Sequence, residues 1–217
     1  MQYVERYTES NDWITLSLVV CIVLFSIAKY FFPRRFDEFV LLPLNNKYFL
    51  VQGKNHDIKH PFNLLLFATQ VISISLFIFL FIKTNEPSSS HSESWLFVQI
   101  CLIYVFFIAI KLTIEKIIGT IFSIDSLLNS YLYQKLSYRN LLAIGVFIAN
   151  LIFFYAIEPT LSNLMVAWGL ILTLNCITLF YSFKTIGNLI LSNFFYFILY
   201  LCTLEIAPYV LLYMALQ

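Results

Sequence analysis

From Trp95 to Ile124 the chain reads WLFVQICLIYVFFIAIKLTIEKIIGTIFSI, an apolar run into which Lys111, Glu115 and Lys116 are set. An α-helix rises about 1.5 Å per residue, so roughly 24 Å of uncharged helix separates Trp95 from Lys111. That is most of the roughly 30 Å hydrocarbon core of a bilayer. The run therefore predicts a membrane helix, with span 95–116, whose charges fall near its far boundary, where a lysine can extend its ammonium toward the headgroups. Lys111 and Glu115 are four apart and can pair, although lysine before glutamate is the less favourable order. The run is longer than one crossing requires, so the helix tilts or projects beyond the membrane and delivers the chain to the amphipathic segment after Asp125.

Working outward, the composition agrees. Of 217 residues, 60% are hydrophobic and 12% charged, against about one quarter charged in a soluble domain. A net charge of +1, with no basic run longer than Arg34-Arg35, argues against a nucleic-acid partner. Cys21, Cys101, Cys176 and Cys202 stand singly in apolar runs, spaced for neither a zinc site nor a redox pair. They read as small buried hydrophobes.

On the N-terminal side, Asn11 and Asp12 precede a span over 13–32. Its acidic start and its Lys29-to-Pro33 end fit a retained helix rather than a cleaved signal. Residues 33–60 form a basic surface segment. Within it, Phe36, Phe39, Val40, Leu41 and Leu42 can face lipid in an interfacial helix ended by Pro43. Alternatively, residues 39–42 pair with 48–51 as a hairpin around Asn45-Asn46. Pro61 opens a span over 62–82, and a polar loop with Pro87 and Ser88–Ser90 leads to Trp95.

On the C-terminal side, residues 125–139 set Leu127, Leu128, Tyr131, Leu132 and Leu136 at helical steps, with Asn129, Ser130, Gln134 and Lys135 largely opposite. This predicts an amphipathic surface helix. Spans over 141–157 and 164–183 come next, and the short connection between them makes them antiparallel neighbours. A last span covers 189–207, with Pro208 ending or kinking it. The expected fold is all-α: six transmembrane helices in one domain, plus short interfacial helices. All Lys and Arg except Arg6 and Lys83 fall on the side of segments 33–60 and 125–139, which makes that side cytoplasmic and both termini extracytoplasmic. Trp13, Trp95 and Tyr155 then lie near the outer interface, and Tyr30, Tyr138 and Tyr181 near the inner one.

The residues worth suspecting are few. Lys111 and Glu115 are costly inside a span and serve either as a boundary pair or in a buried role. Glu205, three residues before Pro208, is an interfacial carboxylate or a proton carrier. Gln70, Asn150 and Asn175 sit deep in spans, where single amides act as interhelical glue. His56 and His60 have a metal-ligand spacing, but the chain offers only His91 besides, and Pro61 biases His60 away from helix. No metal or cofactor is expected. The sequence contains no nucleophile elbow, phosphate-binding glycine loop, zinc-protease box or intramembrane aspartate pair, which leaves no catalytic group to name.

Three strings carry a resemblance: Lys111-Leu-Thr-Ile-Glu115-Lys116-Ile-Ile-Gly119 leading to Phe122, Asn46-Lys47-Tyr48-Phe49, and Leu201-Cys202-Thr203-Leu204-Glu205-Ile206-Ala207-Pro208. Together they resemble the multi-pass bacterial inner-membrane family called domain of unknown function 4271. The resemblance implies an address and a topology but no mechanism. The functional expectation is a non-enzymatic subunit or assembly factor of a larger inner-membrane complex, with lipid and other integral membrane proteins as partners. A small transporter or proton-coupled permeation subunit using Lys111 and Glu205 is one alternative. A lipid-binding or lipid-modifying protein is another.

Overall fold

The computed structural model describes residues 12–42, 60–85, 93–121, 125–157 and 159–190. Every regular element among them is helical: α1 (Asp12–Phe31), α2 (Pro33–Val40), α3 (Pro61–Asn85), α4 (Glu93–Ile121), α5 (Asp125–Tyr155) and α6 (Leu161–Ile190). Four stretches are long and apolar enough to cross a membrane, namely α1, α3, α4 and residues 132–155 of α5, and a shorter apolar stretch covers 161–177 of α6. The expected sixth span, 189–207, lies almost wholly outside the described residues.

Local chemistry sets the helix ends. Pro33 restricts the residue before it, and Phe32 accordingly leaves the helical region at φ −133° and ψ 54°, where α1 stops and α2 starts with proline in its first turn. Lys29 and Asp37 bridge this corner at 3.7 Å. Pro61 opens α3, and the ring of His60 supports that opening: its Nδ1 accepts from the Phe62 N–H at 3.2 Å, and its carbonyl accepts from Asn63 and Leu64. His60 thus caps a helix and packs on Phe32 at 5.0 Å; His56 lies outside the described residues. At the start of α6 the Thr160 hydroxyl accepts from the Asn163 N–H at 3.4 Å, a serine/threonine-type cap.

The helices are arranged around α3, which packs against α1, α4, α5 and α6. In the membrane-length part of α3, 56% of residues are buried; in that of α4 the share is 6%. The run from Trp95 is therefore peripheral, and Leu102, Ile103 and Phe106 along it point outward. At the α2 end, Phe39, Leu42, Phe62, Leu66, Tyr133 and Tyr138 form one apolar cluster. At the opposite end Trp13 packs edge-on to Phe79 at 5.0 Å and beside Phe97 at 5.2 Å. There Lys83 and Glu93 also close the α3–α4 connection at 2.6 Å. The third cluster, around Phe77, Leu80, Val146 and Leu164, joins α3, α5 and α6, so α5 and α6 are neighbours as their short connection predicts.

Two expectations change. α2 forms and ends before Pro43, but Phe39 and Leu42 turn into the core while Val40 and Leu41 stay exposed. The helical state of Phe39 and Val40 removes the first arm of the alternative hairpin, whose second arm is outside the described residues. In addition, segment 125–139 and the span after it are one continuous helix ending at Tyr155. Leu132, Tyr133, Ser137, Tyr138 and Asn140 at this end of the helix are buried. Tyr138 is thus a core residue, its ring taken up by the cluster that α2 closes.

Candidate functional site

The polar group that matters is built by the α4–α5 hairpin. Glu115 stands six residues before the end of α4 at Ile121 and Lys135 ten residues after the start of α5 at Asp125, and the contact between the two helices brings them together. Lys135 Nζ donates to Glu115 Oε1 at 2.9 Å, with the glutamate side chain 1% exposed and the lysine 10%. Lys111 and Arg139 stand one helical turn beyond them, each four residues further from the connection. Lys111, Glu115, Lys135 and Arg139 line one small space whose walls are Ile108, Leu112, Leu132 and Leu136. Its volume is about 10 Å3, room for roughly one water molecule.

Spacing along the sequence pairs Glu115 with Lys111, one turn back on its own helix. The structure gives Glu115 a lysine from the next helix, Lys135, while Lys111 is half-buried at the same space and Lys116 is exposed. Lys135 and Arg139 are the residues the sequence pattern misses. The polar stripe of segment 125–139 reads as water-facing on periodicity alone, yet its lysine faces a carboxylate on α4. No local sequence signal finds it, because the pairing depends on how α4 packs against α5.

The deep amides belong to the contacts of α3. Gln70, fully buried, donates from Nε2 to the Tyr104 hydroxyl of α4 at 2.6 Å. Asn150 of α5, also fully buried, donates from Nδ2 to the Ser73 carbonyl of α3 at 2.7 Å. Each leaves its amide oxygen buried and without a partner. Both amides therefore join α3 to a neighbour, as interhelical glue does. Asn175 is half-buried on α6, and Glu205 lies outside the described residues. Lys111 and Glu115 come together; Asn150 does not join them.

Two larger cavities flank α5. One, of about 560 Å3, runs between α5 and α6 past Leu141, Gly145, Ala149, Ala167, Leu170 and Leu174. The other, of about 400 Å3, lies beside α1 and α2 under Phe25, Phe36 and Ile148. Both are lined mainly by apolar side chains, with Tyr138 at the first. Among the described residues no three His, Cys, Asp or Glu side chains are grouped to hold a metal ion. Chemically, the α4–α5 site can fix two helices and neutralise charge, and nothing in it is arranged to activate a nucleophile.

No curated protein and no solved structure matches the chain. Residues 14–216 match the family described as Domain of unknown function (DUF4271). With nearly its whole length covered, the chain belongs to that family.

Proposed function

We propose that this chain is a six-span bacterial inner-membrane protein, with both termini extracytoplasmic, that serves as a non-enzymatic subunit or assembly factor of a larger membrane complex. The observation that carries this reading is the state of its intramembrane charges. Glu115 is tied to Lys135 in a space that admits about one water, and the larger cavities beside α5 are lined mainly by apolar side chains. A permeation pathway needs a polar cavity that reaches the buried charges. The transport reading draws no support from this arrangement, and its second residue, Glu205, lies outside the described residues. The outward apolar face of α4, with Leu102, Ile103 and Phe106, supplies a surface on which the helices of a partner can pack.

The test is purification of the tagged full-length protein from native membranes in a mild detergent. A second membrane protein at fixed stoichiometry is expected. A monodisperse single chain, recovered at native expression level, overturns the reading.

A further inference from the structure

The same α4–α5 contact that gives Glu115 a partner brings two further cations, Lys111 and Arg139, to one space. Three cations and one carboxylate therefore line a single space, with Glu115 bonded to Lys135. Nε and Nη2 of Arg139, which lines that space, are both buried and both without a hydrogen-bond partner. Those two nitrogens form one edge of the guanidinium and present parallel N–H groups, the fork that fits two oxygens of a phosphate or carboxylate. A charged donor pair shut away from water is costly unless an anion or water meets it.

The dimensions say what can meet it. About 10 Å3 accommodates one water-sized atom, such as a single phosphate oxygen, and the space is not closed on all sides. The rest of such a group would lie at the mouth. Tyr133 and Tyr138, which bracket Lys135 on α5, pack with Ala28 at the end of α1 and with Phe39 of α2. The mouth is thus level with the corner where α1 gives way to the short helix α2, which in the proposed membrane setting is headgroup depth.

We propose that Lys111, Lys135 and Arg139 form a binding site for a phosphate-type oxyanion at the membrane boundary, one oxygen seated on the Nε and Nη2 edge of Arg139. The anion is supplied by the headgroup of an anionic phospholipid or by soluble phosphate. The proposal rests on the membrane placement but not on the subunit role: a lone monomer that binds the anion would defeat the latter and leave the former standing.

The test follows thermal unfolding of the detergent-purified full-length protein with added phosphatidylglycerol, phosphatidylcholine or inorganic phosphate. Phosphatidylglycerol is expected to raise the midpoint and phosphatidylcholine to leave it unchanged. Arg139→Lys keeps the charge but removes the fork, and should weaken the apparent affinity about tenfold, the loss of one charge-assisted hydrogen bond. Lys111→Gln, which leaves the guanidinium in place, should weaken it as well and provides the reading if Arg139→Lys does not fold. Lys83→Gln, at the opposite end of the bundle, should bind as the parent does. A shift with inorganic phosphate alone assigns the site to a soluble anion. Equal shifts with both lipids, no shift with any anion, or undiminished binding in the Arg139 and Lys111 variants overturns the proposal.

Discussion

Helices α3 and α4 are both long, both apolar and adjacent, yet 56% of the first is buried along its membrane-length part and 6% of the second. What separates them is small and polar side chains. α3 carries Asn63, Thr69, Gln70, Ser73 and Ser75, all buried, whereas the outward face of α4 is made of Leu102, Ile103, Phe106, Ile110 and Ile114. In water the apolar helix would go inside. In lipid, tails are as apolar as leucine, so association is driven by close packing and interhelical hydrogen bonds, and small or polar residues mark the centre. Among the described residues of α4, the polar side chain buried as those of α3 are is Glu115, which Lys135 meets.

That exception gives the largest expected effect. Glu115→Leu leaves the Lys135 ammonium in an apolar space, and breaking a buried pair from one side costs about 3–5 kcal/mol. The loss should appear as a lower midpoint in thermal or sodium dodecyl sulfate unfolding. The double variant Glu115→Leu/Lys135→Met removes both charges at once and should recover most of the loss. A double variant no more stable than the single one would mean that the pair does not join the helices, and that α4 differs from α3 throughout its length.

Next comes the same substitution on the two helices. Leu76 of α3 is fully buried and Leu102 of α4 is 64% exposed. Leu76→Ala opens a cavity in the cluster with Ile14, Leu18, Phe79 and Phe147. Because transfer to lipid recovers little, the packing term dominates, about 2 kcal/mol. Leu102→Ala exchanges one lipid-facing apolar surface for another and should stay within about 0.5 kcal/mol. Equal losses in dispersed monomer would contradict the central position of α3.

How much of this is legible in the sequence depends on the physics each signal carries. Hydropathy and length locate the four described stretches long and apolar enough to cross a membrane, Pro33 starts α2, and the short link before Leu161 makes α5 and α6 neighbours. Those are local properties. The centre is not legible from the run at Trp95, because length and apolarity measure compatibility with lipid and not burial in protein. The partner of Glu115 escapes for a related reason: periodicity tells which residues share a face of α5, but not whether that face meets water or α4. Counting residues outward from the connection does not supply that coordinate, because Glu115 lies six residues from the end of α4 and Lys135 ten from the start of α5.

The smallest effect tests what the polar residues of α3 contribute. Asn150→Leu severs the 2.7 Å hydrogen bond from Nδ2 to the Ser73 carbonyl, but it also removes a buried amide oxygen that has no partner. These two changes oppose each other. Interhelical hydrogen bonds in membranes are worth about 0.6 kcal/mol on average and about 1.7 at most, so the net loss should be about 1 kcal/mol or less. Thr113→Ala on α4 is the matched control, since its hydroxyl donates to Ala109 of its own helix, at 2.8 Å, and is exposed; it should change nothing measurable. A stabilised Asn150→Leu would show that the unpaired oxygen costs more than the bond contributes. The amide would then be kept for which helix meets α3 and at what depth, because a leucine at 150 packs equally well against any apolar neighbour and an asparagine only where a carbonyl awaits it.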